Sequence, residues 1–118
     1  MKISTIRELL DAEVLCCEEG LGGHVYSACG CDLMSDVLAY VKDQAVLLTG
    51  LVNPQVIRTA VMMDMVCIVF VRSKMPTEEM IRLAKESGIV IMRTENTLYN
   101  SCGLLYKGGL VSGKRNEQ

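Results

Sequence analysis

Residues 45–71 read AVLLTGLVNPQVIRTAVMMDMVCIVFV, and the class of fold turns on how this run divides. Its ends, Ala45 to Thr49 and Val66 to Val71, are short continuous apolar runs. That is the pattern of strands covered on both faces of a sheet. Between them, Asn53-Pro54 reads as a helix start. Asparagine is a good cap, and proline at the first helical position lacks only an N–H that would have no partner there. Val56, Ile57, Ala60 and Val61 then share one helical side. Strand, loop, helix and strand follow in sequence, the rhythm of a parallel sheet.

The rhythm continues in both directions. Downstream, Arg72-Ser73-Lys74 is a loop, and Thr77 caps a helix with Glu78 and Glu79 at its positive end. Met80, Ile81 and Ala84 give that helix its buried side, Gly88 stops it, and Ile89 to Met92 form a strand. Thr94-Glu95-Asn96-Thr97 leads into a short helical segment through about Cys102. Upstream, CDLMSDVLAY (Cys31 to Tyr40) begins a helix over about Leu33 to Val41. Asp32 stands at the cap position, with Ser35 and Asp36 in the first turn. Farther upstream, Thr5 and Glu8 make a capping-box pattern for a short helix. A strand runs through Val14, Leu15 and Cys16. Gly20, Gly22 and Gly23 mark a turn, and His24-Val25-Tyr26 reads as a second short strand. The alternation predicts an α/β class: a single three-layer domain with a mainly parallel sheet over residues 1–110. Residues 111–118, made largely of Gly, Ser and charge, read as a flexible tail.

Composition narrows the functional classes. The chain has 118 residues, 50% of them apolar, which fits one domain with one core. With one Phe, no Trp and eight Met, that core is aliphatic. A net charge of −2 without a basic cluster argues against nucleic acid as a partner. The N-terminal segment breaks its apolar residues with charges, so it reads as neither signal peptide nor anchor. The longest apolar run is far below the roughly 20 residues of a membrane helix. A cytoplasmic protein is expected, and its six cysteines then read as reduced thiols.

In a parallel α/β sheet, ligands bind beyond the carboxyl ends of the strands. Three loops fit that position: Thr49 to Asn53, Arg72-Ser73-Lys74, and Thr94 to Thr97. The candidate contacts are Thr49, Asn53, Arg72, Ser73, Lys74, Thr94, Asn96 and Thr97, with Ser35 and Asp36 nearby. Helix N-termini favour an anion, and Arg72 and Lys74 suit a phosphate. The structural alternative is that Asn53 and Thr77 are simply caps and the two cations are solvated. No phosphate-loop or dinucleotide motif is present.

A second possibility gathers Cys16, Cys17, Cys29 and Cys31 around zinc or an iron–sulfur cluster. Against it, adjacent Cys16 and Cys17 would point to opposite faces of a strand, and no CxxC occurs. Cys67 and Cys102 read as core. His24 has no evident partner, so no nucleophilic enzyme is indicated.

AEVLC (12–16), SDVLAY (35–40), TGLVNPQVIRTA (49–60) and RTENTLYNS (93–101) together resemble DRTGG domains, in the order and spacing of that family. The resemblance runs from Ala12 to about Ser101, and CDLMSDVLAY is its most specific part. The chain departs from the family where the Asp-Arg should stand, near Leu51-Val52-Asn53. It departs again where the Thr-Gly-Gly should stand, near Val71 to Lys74. It is most similar to divergent stand-alone members that accompany iron-only hydrogenase and redox genes in anaerobic bacteria. The resemblance implies a domain related to the N-terminal region of HPr kinase/phosphorylases. It further implies a regulatory rather than catalytic role, a homodimer, and a redox-enzyme protein partner.

Overall fold

The computed structural model describes residues 1–41 and 44–111. Its elements alternate as the sequence rhythm requires: α1 (Ile3–Leu10), β1 (Glu13–Cys16), β2 (Ser27–Gly30), α2 (Met34–Tyr40), β3 (Ala45–Thr49), α3 (Pro54–Met62), β4 (Cys67–Phe70), α4 (Glu78–Ser87), β5 (Val90–Arg93) and α5 (Leu98–Lys107). The strands form one five-stranded sheet in the order β1-β5-β4-β3-β2. β2 through β5 are parallel, and β1 joins the far edge antiparallel to β5. The α/β class with a mainly parallel sheet is therefore the observed one.

The layers follow from handedness. Each step from β2 to β5 moves to the adjacent strand in one direction, so right-handed crossovers place α2, α3 and α4 on the same face. Val37, Val56, Ile57, Ala60, Met80 and Ala84 from these helices pack there against Leu47, Ile68, Phe70 and Ile91. The opposite face carries α1 and α5, whose Ile3, Ile6, Leu10 and Leu105 cover Val46, Leu48, Val69 and Met92. Every residue of β3 and β4 is buried, which explains their unbroken apolar sequence.

Four local expectations change. Thr5 and Glu8 do not open α1; Lys2 is the N-cap without a side-chain bond, and the helix begins a turn earlier. The chain near Lys2 is instead tied by backbone, with Ile3 N–H donating to the Gly23 carbonyl at 2.9 Å. The second strand is Ser27–Gly30, not His24-Val25-Tyr26; His24 makes only an isolated bridge to Lys2. The last helix runs on to Lys107 rather than ending near Cys102. Asp32 is not the cap of α2, whose N-cap is Leu33. Residues 112–118, most of the expected tail, lie outside the described residues.

Candidate functional site at the carboxyl rim

All the strand-to-helix loops of the parallel strands emerge at one end of the sheet. From β2 comes Cys31-Asp32-Leu33, from β3 Gly50 to Asn53, from β4 Val71 to Thr77, and from β5 Thr94 to Thr97. The topology reverses at β5: the β4 loop leads to α4 on one face, and the β5 loop to α5 on the other. Such a divergence normally leaves a crevice. Here it is stitched shut. Arg72 N–H donates to the Asn96 carbonyl at 2.8 Å, and Ser73 N–H to the Thr94 carbonyl at 2.8 Å. To reach those acceptors both residues adopt left-handed backbone, with φ of 53° and 56°.

Thr94 and Asn96 reinforce the closed end. The Thr94 hydroxyl donates to the Leu10 carbonyl at 2.7 Å, and the Asn96 amide donates to the same oxygen at 3.0 Å. One carbonyl at the end of α1 thus receives two side chains from the β5 loop. Thr94 is buried, and its polar capacity is spent inside the protein. Asn53 and Thr97 act as helix caps, accepting from Gln55 N–H at 2.8 Å and Asn100 N–H at 3.1 Å.

At the other end of the rim, Asp32 does what the sequence reading missed. Its Oδ1 accepts from the buried Thr49 hydroxyl and from Gly50 N–H, each at 2.8 Å. The carboxylate therefore clamps the end of β2 to the end of β3. Thr49 in turn accepts from Leu51 N–H at 3.2 Å. With Asp32 occupied, Cys31 serves the turn into α2: its sulfur accepts from Leu33 N–H at 3.2 Å and donates to the Leu33 carbonyl at 3.3 Å.

Gly50 lies between this clamp and the β4 loop. The point its Cβ would occupy is 3.6 Å from Arg72 Nη2 and 3.8 Å from Asp32 Oδ2. The guanidinium thus stands over bare backbone at the carboxyl ends of β3 and β4. Among the described residues the exposed side chains of Arg72 and Lys74 make no hydrogen bond or ion pair. The three ion pairs that do form, Arg58–Glu79, Arg82–Glu86 and Arg93–Glu13, lie elsewhere. Ser35 and Asp36 are exposed on the first turn of α2. A polar hollow of about 320 Å³ beside the closed end is lined by Asp11, Glu13 and Glu95 as well as Arg93. Its carboxylates and the Arg93–Glu13 pair make it the less suitable place for an anion.

The structure separates the proposed cysteine quartet. Cys16 and Cys17 adjoin β1, Cys29 and Cys31 adjoin β2, and these are opposite edges of the sheet. Four strand spacings put the pairs on the order of 19 Å apart. A four-thiolate centre within one chain is excluded by that distance. Cys29 is pushed up to about 11, chiefly by burial and then by its neighbours Cys31, Cys102 and Asp36. Burial also raises Cys67 and Cys102. Thiols held protonated in this way are poor metal ligands and poor nucleophiles.

No family model matches the sequence, and no curated protein is significantly similar to it. The fold is similar to a crystal structure of the CBS and DRTGG domains from the regulatory region of Clostridium perfringens pyrophosphatase, complexed with its activator, diadenosine tetraphosphate. The TM-score is 0.71 at 15% identity, over 96% of this chain and 49% of that chain. This chain therefore spans about half the length of that regulatory region. The molecule is an α/β domain with a DRTGG-like fold. No helix among its described residues is long and apolar enough to cross a membrane.

Proposed function

We propose that this domain is a non-catalytic ligand-sensing module that takes a small phosphate-bearing anion over Gly50, between the Asp32 clamp and the β4 loop. The observation that carries the reading is the exposed, unpaired guanidinium of Arg72 beside the bare backbone of Gly50, with exposed Lys74 two residues on in the same loop. A solvated cation loses little when a doubly charged phosphate replaces water, and a guanidinium can meet it with parallel hydrogen bonds. Ser73 and Asn53 stand close enough in the chain to add polar contacts, with Ser35 at the margin. Thr49, Thr94 and Asn96 hold the rim in shape. The regulatory character of the similar pyrophosphatase region, and the polyphosphate bound there, support the reading. The missing Asp-Arg and Thr-Gly-Gly mean that Arg72 and Lys74 must supply the charge in a different way from the family pattern.

Calorimetry against nucleoside polyphosphates, dinucleoside polyphosphates and inorganic polyphosphate tests this. Binding is expected, with Arg72→Ala plus Lys74→Ala weakening it at least tenfold. Absence of binding, or binding indifferent to the double substitution, overturns it. A homodimer belongs to the same proposal. Tyr26, Leu33 (59% exposed) and Leu38 are exposed apolar residues just before and after the β2 edge, a surface of the kind a second subunit covers. Sedimentation equilibrium with Leu33→Asp checks it: the wild type should run as a dimer and the variant as a monomer. A redox-enzyme partner would be sought by crosslinking to that same surface.

A further inference from the structure

The rim uses neither Cys16 nor Cys17, yet their placement is unusual. Cys16 ends β1, and Cys17 follows in left-handed backbone, φ 60° and ψ 42°. A residue with a Cβ is strained there, and such strain persists only where the surroundings enforce it. The register against β5 also slips between Val14 and Cys16. Successive side chains of an extended strand point to opposite faces. The left-handed step breaks that alternation, and both sulfurs reach the same turn.

Their acceptors show where. The Cys16 thiol donates to the Ile89 carbonyl at 3.5 Å and the Cys17 thiol to the Ala84 carbonyl at 3.9 Å. That Ala84 carbonyl also accepts from Ile89 N–H at 2.9 Å. Both thiols therefore sit on the turn joining α4 to β5, on two carbonyls linked through the Ile89 N–H. Among the described residues no third His, Cys, Asp or Glu completes a metal site around them.

We propose that Cys16 and Cys17 are a reversible dithiol–disulfide pair, oxidised by a low-molecular-weight disulfide to a vicinal disulfide at the β1 edge. Cys17, the less buried of the two, enters first. Its thiolate attacks one sulfur of the oxidant, forming a mixed disulfide and releasing one thiolate. Cys16 then loses its proton and attacks the Cys17 sulfur. A second small thiolate leaves, and the two released thiolates take up the two protons. The oxidant is reduced to two thiols as the protein's thiols become one disulfide. Burial first, and the neighbouring Cys17 next, push the Cys16 thiol up to about 11, which suits it to the slower, resolving role.

Neighbouring Cα atoms across a trans peptide are about 3.8 Å apart, closer than the roughly 4.4–6.8 Å usual between bridged cysteines. The ring is consequently strained and easily reduced, a switch rather than a staple. It closes no chain loop, so it brings none of the entropic stabilisation of an ordinary disulfide. Closing it also turns the sulfurs away from the Ile89 and Ala84 carbonyls and weakens the hold of β1 on the α4–β5 turn.

The test uses the folded full chain, oxidised glutathione, an acid quench, and alkylation under denaturing conditions. Cleavage after glutamate releases Val14 to Glu18, a peptide whose only cysteines are these two. The expected product is this peptide lighter by two hydrogens, refractory to alkylation until dithiothreitol is added, from protein with a lowered Tm. A peptide alkylated at both cysteines, or one retaining glutathione, overturns the proposal. In Cys17→Ser the remaining Cys16 is expected to stay unmodified, and glutathione on it at the wild-type rate would reverse the assigned order.

Discussion

The two edges of the sheet each carry a pair of cysteines, and they are built in opposite ways. At the β2 edge, Cys29 and Cys31 alternate with Gly30, so both lean toward the α2 face at the spacing of an extended chain. Gly30 faces the other way, against the Cys102 sulfur of α5. At the β1 edge the cysteines are adjacent, and a left-handed residue rather than strand periodicity brings them together. Spacing in sequence is thus a poor guide to spacing in space at a strand end. The C-x-C pair keeps the spacing of an extended chain, while the adjacent pair, expected to diverge, meets the same α4–β5 turn.

The largest expected effect concerns protonation. Cys16 and Cys29 both have an ordinary value near 9 raised to about 11. A thiol raised in the folded state adds stability below its unfolded value, and this is lost as pH climbs through the folded one. Urea denaturation should show stability falling between pH 9 and 11. In the same window the alkylation of half-buried Cys29 should rise about tenfold per pH unit, as its thiolate fraction does. A flat profile would erase this feature common to both edges.

Next is the clamp peculiar to the β2 side. Asp32→Ala removes a charged acceptor and leaves the buried Thr49 hydroxyl with no acceptor for its proton. A loss of about 1.5–3 kcal/mol is expected by urea denaturation. Gly30→Ala follows. Its new Cβ would stand 2.5 Å from Cys102 Sγ, an overpacking that should cost about 1–3 kcal/mol. Adding Cys102→Ala should recover most of that cost, because the obstacle is the sulfur alone. The smallest effect sharpens the contrast with the β1 side. At Cys17, with φ 60°, the glycine variant should be more stable than the alanine variant by about 1 kcal/mol.

Much of the sheet could be read from residues 45–93, because its signals are local. β3 begins and ends where its apolar run does, Asn53-Pro54 opens α3, and Thr77 and Gly88 bound α4. β2 falls after His24-Val25-Tyr26 because its identity depends on β3 beside it. Ser-Ala-Cys-Gly carries little strand propensity, and its pairing with Ala45 to Leu48 is invisible in the segment itself. Asp32 departs from the cap role for a similar reason. As a cap it would need only its own neighbours, whereas its real partners, Thr49 and Gly50, lie one crossover away. Of the expected rim residues, Arg72 and Lys74 stand out in the sequence by charge and position, and the structure leaves both exposed. The structural employment of Thr49, Thr94 and Asn96 required knowing which carbonyls and carboxylates face them.

The order of strands also bears on how the molecule assembles. From β2 to β5, each strand pairs with the next one in the chain, so that block closes only short loops as it forms. β1 must instead find β5 across most of the sequence, at an entropic cost the block does not face. Docking of β1 is accordingly expected to be the last event in folding and its release the first in unfolding. Amides at Val14 and Cys16 should exchange with deuterium ahead of those in β3 and β4.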